Sequence, residues 1–209
     1  MCAGPSRTES LIRGPLIPPE PLVQGRKRIT AQAGNTFFLV QAWGLADFLQ
    51  TDPTVMTVRY WLMKTEPGEF SYDDLTSRPD QTEHWDGVRN YQARNLMRDD
   101  MRVGDSVFFY HSNCDEPGII GLARIVREAY PDHTAFDPDD KHYDRKSRPD
   151  QPTWFMVDVQ AVRKLRRTIT LTELKACPEL DGLALIRRGN RLSVMPVSDK
   201  HWHFILGLE

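Results

Sequence analysis

The sequence predicts an α+β domain: a small mixed β-barrel with short helices at its rim. Three observations lead there. From Val58 onward, runs of six to eleven residues rich in β-branched and aromatic side chains are punctuated by Gly, Pro, Asn and Asp. Between them stand Ser, Thr or Asn positions followed by stretches long enough for only a few helical turns. No strand–helix–strand rhythm and no Gly-rich phosphate loop repeats along the chain, which argues against a doubly wound parallel sheet.

Taken in order, Val58–Lys64 is a strand stopped by Pro67 and Gly68. Ser71, followed by Asp73 and Asp74, caps a short helix, because its hydroxyl and the first-turn acids suit the unpaired N–H groups of a helix start. Asn90 caps a second helix over Tyr91–Met101, closed by the Gly104–Asp105 turn. Asp105–Ser112 and Gly118–Glu128 are strands joined by the turn Asn113–Pro117. Residues 129–153 are charged, proline-bearing and weakly patterned, hence an insertion loop. Trp154–Val162 alternates, placing Phe155, Val157, Val159 and Ala161 on one face. Thr170 or Thr172 starts a short helix ending near Cys177 and Pro178. Leu192–Val197 is an edge strand, since Pro196 lacks a backbone donor. Ser198 caps a last helix with Trp202, Ile205 and Leu206 on one side.

The first 55 of the 209 residues differ in kind. They hold six of the 15 prolines and five of the 13 glycines, with five basic and four acidic side chains. The remainder carries 22 basic and 25 acidic side chains and all six histidines. Proline-broken segments such as Arg13–Pro21 suit neither helix nor sheet. The apolar piece Phe37–Leu49 is too short to span a bilayer and lacks a small-residue cleavage site, so it is not a signal peptide. Residues 1–55 are therefore expected to be a disordered extension, or sequence upstream of a functional start at Met56, with one domain over 56–209. No apolar run reaches the ~18–20 residues of a membrane helix, and no membrane association is expected. Cys2, Cys114 and Cys177 show no CxxC or metal spacing, which favours reduced thiols. His201 and His203 lack further ligands at zinc spacing. Neither metal nor cofactor is expected.

Four constellations carry chemistry. Lys64-Thr65-Glu66-Pro67 closes the first strand, where Lys64 and Glu66 project to the same side. They suit hydrogen bonds to a planar ligand, acid–base work, or an ordinary exposed ion pair. The run His84–Asn95 puts Trp85 before a glycine turn, Arg89 just ahead of a helix start and Arg94 in its first turns. Aromatic surface, arginine and a helix N-terminus together can stack a base and hold its phosphate. A core tryptophan beside a solvated arginine face reads equally well, and Asn90 as a plain cap reads better than Asn90 as a ligand. Phe108–Asn113 exits a strand with Tyr110 and Phe108 on one face, and His111 and Phe109 on the other. Ser112 lacks the GxSxG elbow of a serine hydrolase. In Arg191–Val197, Arg191 and Ser193 share a face that suits a ligand or a plain edge strand.

Together YWLMKTEP (Tyr60–Pro67), FSYDDL (Phe70–Leu75), WDGVRNYQARN (Trp85–Asn95), GDSVFFYHSN (Gly104–Asn113), PGIIGLARI (Pro117–Ile125) and RLSVMPV (Arg191–Val197) resemble the EVE domain family, in the family's order over nearly all of residues 58–208. The resemblance implies a PUA-like fold, similar to YTH domains that cage a methylated adenine and to SRA domains that flip modified cytosine. It implies a non-enzymatic reader of a methylated or oxidised base in DNA or RNA. In that reading Trp85 is the pocket aromatic, Lys64, Thr65 and Glu66 line the floor, and Tyr110, His111 and Ser112 read the base edge. Trp154 is a second wall. Arg89, Asn90, Arg94, Arg191 and Ser193 hold the nucleic-acid backbone. The expected partner is nucleic acid with a modified base, bound by a monomer that is nuclear in a eukaryote or cytoplasmic in a bacterium. With few counterions to release, a domain of net charge −3 is expected to bind unmodified strands weakly. Two alternatives stand beside it. One is a hydrolase of modified nucleobases or RNA, similar to ASCH domains, acting through Lys64, Thr65 and Glu66. The other is a protein-binding module using the loop Asp132–Asp150.

Overall fold

The structure, a computed structural model, describes residues 58–209, so the expectations for residues 1–55 and for a start at Met56 lie outside the described residues. Six strands form one mixed sheet: β1 (Tyr60–Thr65), β2 (Thr82–Trp85), β3 (Ser106–His111), β4 (Gly118–Pro131), β5 (Phe155–Thr170) and β6 (Val194–Val197). Their order is β2-β5-β4-β3-β1-β6, with β1 and β3 parallel and the other neighbours antiparallel. The edge strands β2 and β6 do not pair with each other, so the sheet stays open where a closed barrel was expected. Pro196 does lie on an edge strand, as its missing donor requires.

Strand alternation feeds two cores. Trp61, Met63, Val107, Phe109, Val157 and Val159 point into the first, which is covered by helix α1 (Tyr72–Ser77) and helix α2 (Tyr91–Asn95) with the π-helical turn Leu96–Asp100. Leu62, Phe108, Tyr110, Ile119 and Ile169 point into the second, beneath α3 (Leu171–Ala176) and α4 (Asp199–Leu206). The four expected caps all form: Ser71, Asn90, Thr170 and Ser198 each accept from a backbone N–H three residues on. Ser71 and Asp74 complete a reciprocal capping box. The second helix was expected to be continuous to Met101; it widens at Leu96 and ends at Asp100.

Two strands differ from expectation. The polar edge strand β2 (Thr-Glu-His-Trp) was not foreseen, because charged residues at an edge hide the alternation. β5 runs on to Thr170, eight residues past Val162. Its basic run Arg163–Arg167 is exposed except for Leu165, and register shifts against β4 re-aim Leu165 and Ile169 inward. One buried carboxylate ties the sheet's start together. Asp105 accepts from Trp61 Nε1 at 2.8 Å, from the Arg59 N–H at 3.0 Å and from the Arg102 N–H at 2.9 Å.

Candidate functional site

The end of β1 and the chain after it, the segment Glu83–Arg89 and the tip Asp140–His142 surround a cavity of about 660 Å³, with Ser193 at its margin. Trp85 forms one wall. It is 8% exposed, and its ring stands edge-on to Phe109 at 5.4 Å, so the core fixes the indole while part of it faces the cavity. Among the described residues nothing accepts a hydrogen bond from Trp85 Nε1, and the atom is not sealed from solvent.

At the floor, Lys64 is half-buried, and burial lowers its pKa from the ordinary lysine value. No carboxylate pairs with it among the described residues, whereas the other lining cations are paired: Arg78 with Glu83 at 2.7 Å, Arg89 with Asp132 at 2.7 Å, and Lys141 with Glu69. Thr65 is held by the turn after β1, and Glu66 by the turn after β3. The Thr65 hydroxyl donates to the Phe70 carbonyl at 3.1 Å, and Glu66 accepts from Asn113 Nδ2 at 3.0 Å. His84 lies between Glu83 (2.6 Å) and Asp86 (3.4 Å), and burial raises the Asp86 pKa.

The turn Asp86–Arg89 is fixed from the loop that follows β4. Asp132, fully buried, accepts from the Gly87 N–H at 3.1 Å and from Arg89 Nη1 at 2.7 Å. Burial pushes its carboxyl up, but bonds from Thr134, Arg89 and Gly87 outweigh that and hold it below the usual carboxylate range. Arg89 also donates through Nε to the His142 carbonyl at 2.8 Å and through Nη2 to Thr134 Oγ1 at 3.1 Å. Its guanidinium is thereby occupied by protein. Gly87 (φ +69°) lies against the His142 ring: a Cβ there would come within 2.5 Å of it.

Half of the expected pocket set lines the cavity: Lys64, Thr65, Glu66 and Trp85. The other four do not. Tyr110 pairs in register with Lys64, and its ring is buried in the second core. His111 Nε2 accepts the first N–H of α1, from Tyr72, at 3.2 Å. Ser112 Oγ donates to the Thr65 carbonyl at 3.1 Å. Trp154, 5% exposed, donates to Asp144 at 2.7 Å beneath Arg89 and Arg94, whose guanidinium carbons lie 5.4 and 5.9 Å from its ring. It supports Arg89 from behind. Of the expected backbone contacts, Arg89 and Ser193 line the cavity, while Asn90 and Arg191 line an adjoining groove. Arg94 lines neither and donates to the Thr153 carbonyl.

Sequence reasoning missed the loop's contribution: Asp132 as clamp, and Asp140, Lys141 and His142 at the wall. A signal was present. Asp132, Asp137, Asp140 and Asp144 each accept from the backbone N–H two residues on, at 2.7–3.0 Å. Recurrent Asx turns mark an ordered loop rather than a slack insertion.

The chain belongs to the EVE domain family, whose model matches residues 59–208. Thymocyte nuclear protein 1 of Rattus norvegicus is 50% identical over 167 residues, covering 72% of this chain and 73% of the relative. Among solved structures, a Pseudomonas putida protein is 50% identical with a TM-score of 0.69, over 71% of this chain and 98% of that one. The human THYN1 protein in complex with 5-methylcytosine containing DNA is 48% identical with a TM-score of 0.69, over 72% of this chain and 96% of that one.

Proposed function

We propose that this chain reads a modified base in nucleic acid, with a methylated cytosine in DNA as the first candidate, and that the cavity beside Trp85 receives the base. The observation that carries the proposal is the cavity itself: a fixed indole wall facing a half-buried lysine that no carboxylate neutralises among the described residues. The human relative bound to 5-methylcytosine DNA supports the choice of ligand. A volume of about 660 Å³ falls within the ~300–1,000 Å³ of small-ligand pockets. Extrusion of a base costs a few kcal/mol, offset by stacking of about 1–3 kcal/mol and by edge hydrogen bonds. The cytosine edge offers an amino donor and ring acceptors. Glu66 and Asp86 supply acceptors, and Lys64 supplies a donor. The surrounding ion pairs leave little net positive charge, so discrimination comes from the pocket and not from general attraction to phosphate.

The reader acts as a monomer through residues 56–209, in the nucleus of a eukaryote or the cytoplasm of a bacterium, and RNA carrying the same base is a second ligand class. The hydrolase alternative is the weaker reading, since the Thr65 hydroxyl already donates to the Phe70 carbonyl. Titration of the full chain with otherwise identical oligonucleotides containing 5-methylcytosine or cytosine tests the proposal. Tighter binding of the methylated strand is expected, and equal affinity rejects it.

A further inference from the structure

Next to the base cavity lies a groove of about 490 Å³ whose lining includes Arg187, Arg188, Arg191, Asn90 and Gln92, and no carboxylate. All three arginines are exposed. Among the described residues none of them pairs with an acid, although eight other arginines of the domain do. Three guanidinium groups unpaired at one exposed turn leave a local positive charge that suits an anion, at little cost to stability because water screens it.

The turn that carries them is built to hold its shape. The Asn190 N–H donates to the Arg187 carbonyl at 3.2 Å, and its side chain bridges the Ala184 carbonyl (2.6 Å) and the Leu192 N–H (2.9 Å). Gly189 adopts φ +78°, a conformation that side-chain-bearing residues rarely take. Arg187, Arg188 and Arg191 therefore bracket one tied turn.

The groove and the cavity are lined from the same two chain segments. Arg89 lines the cavity and Asn90 the groove; Ser193 lines the cavity and Leu192 the groove.

We propose that this groove is a second site, a track for the phosphodiester backbone next to the extruded base, in which Arg187, Arg188 and Arg191 hold successive phosphates. It rests on the base-reading proposal for the strand's placement, and its work is complementary: phosphate contacts add affinity and register, while the cavity supplies discrimination. Arg89, occupied by Asp132, Thr134 and His142, is relieved of the phosphate-binding role its sequence position suggested.

The test is a salt series on the full chain, with labelled oligonucleotides carrying 5-methylcytosine or cytosine. The R187A/R188A/R191A variant is expected to bind both strands more weakly by the same factor, leaving their affinity ratio unchanged. Its plot of log affinity against log salt should be shallower by about 2–3, at roughly 0.7–0.9 per lost phosphate contact. The melting temperature should stay at the wild-type value, because these side chains are exposed. Wild-type slope and affinity in the variant would overturn the groove proposal while leaving the base reading intact. A wild-type protein that binds both strands equally would reject the base reading, and the slope difference would still decide the groove.

Discussion

In the proposed reading Lys64 supplies charge to the cavity and Trp85 supplies aromatic surface. Burial lowers the Lys64 pKa, so at neutral pH the folded protein holds an ammonium that water would stabilise better. The sign follows: with the folded pKa below the unfolded one, stability rises with pH between the two values. Lys64→Met should therefore raise the melting temperature at neutral pH while weakening the methylated strand, a stability–function opposition that thermal melts and titrations on the same variant check. Asp132 has the opposite character. Removing it leaves the Arg89 guanidinium and the Gly87 N–H unpaired, and Asp132→Ala should cost about 3 kcal/mol by denaturant titration. Trp85's place on the cavity wall was legible from its position before a glycine turn. Tyr110 was expected at the base edge but lies in the second core, because its strand is buried on both faces and nothing in Phe-Phe-Tyr-His says which core each ring enters. Asp132 was missed because a carboxylate in a charged loop looks solvated until its partners are known.

At the scale of elements, helix α1 hangs on a titratable acceptor. His111 Nε2 takes the Tyr72 N–H only as a neutral ring, and burial lowers its pKa from 6.5. A folded pKa depressed below the unfolded one gives stability that is complete above 6.5 and is lost as pH falls toward the lowered value. Hydrogen exchange at the Tyr72 amide should thus lose protection between pH 7 and 5 beyond the intrinsic rate change, and His111→Gln should lack that dependence. The neighbouring turn depends on glycine. Gly87→Ala would drive a Cβ into the His142 ring at a positive φ, so cavity and loop should both loosen, seen as weaker base binding and a melting temperature lower by several degrees. Helix starts were the most legible elements, since a cap is a local hydrogen bond written in one residue. Edge strand β2 and the far half of β5 were not, because their placement depends on partners distant in sequence and on register shifts.

For the whole molecule, an open mixed sheet sandwiched between two cores leaves the ends of β1 and β2 and the loop after β4 to meet at one rim, where the cavity and the arginine groove lie side by side. Net charge concealed this arrangement: a domain with more acids than bases still concentrates unpaired arginines in one groove. Many of the remaining charges are paired at the surface and acids outnumber bases, which makes weak binding of plain strands the expected behaviour. The most direct test is the affinity ratio for 5-methylcytosine against cytosine in the wild type and in Trp85→Leu, which keeps apolar volume in the core but removes the aromatic face. The wild type should favour the methylated strand, and Trp85→Leu should lose about 1–3 kcal/mol of that binding with the groove's salt dependence unchanged. An undiminished ratio in Trp85→Leu, in a variant that melts as a folded protein, would contradict the assignment of this cavity as the base site.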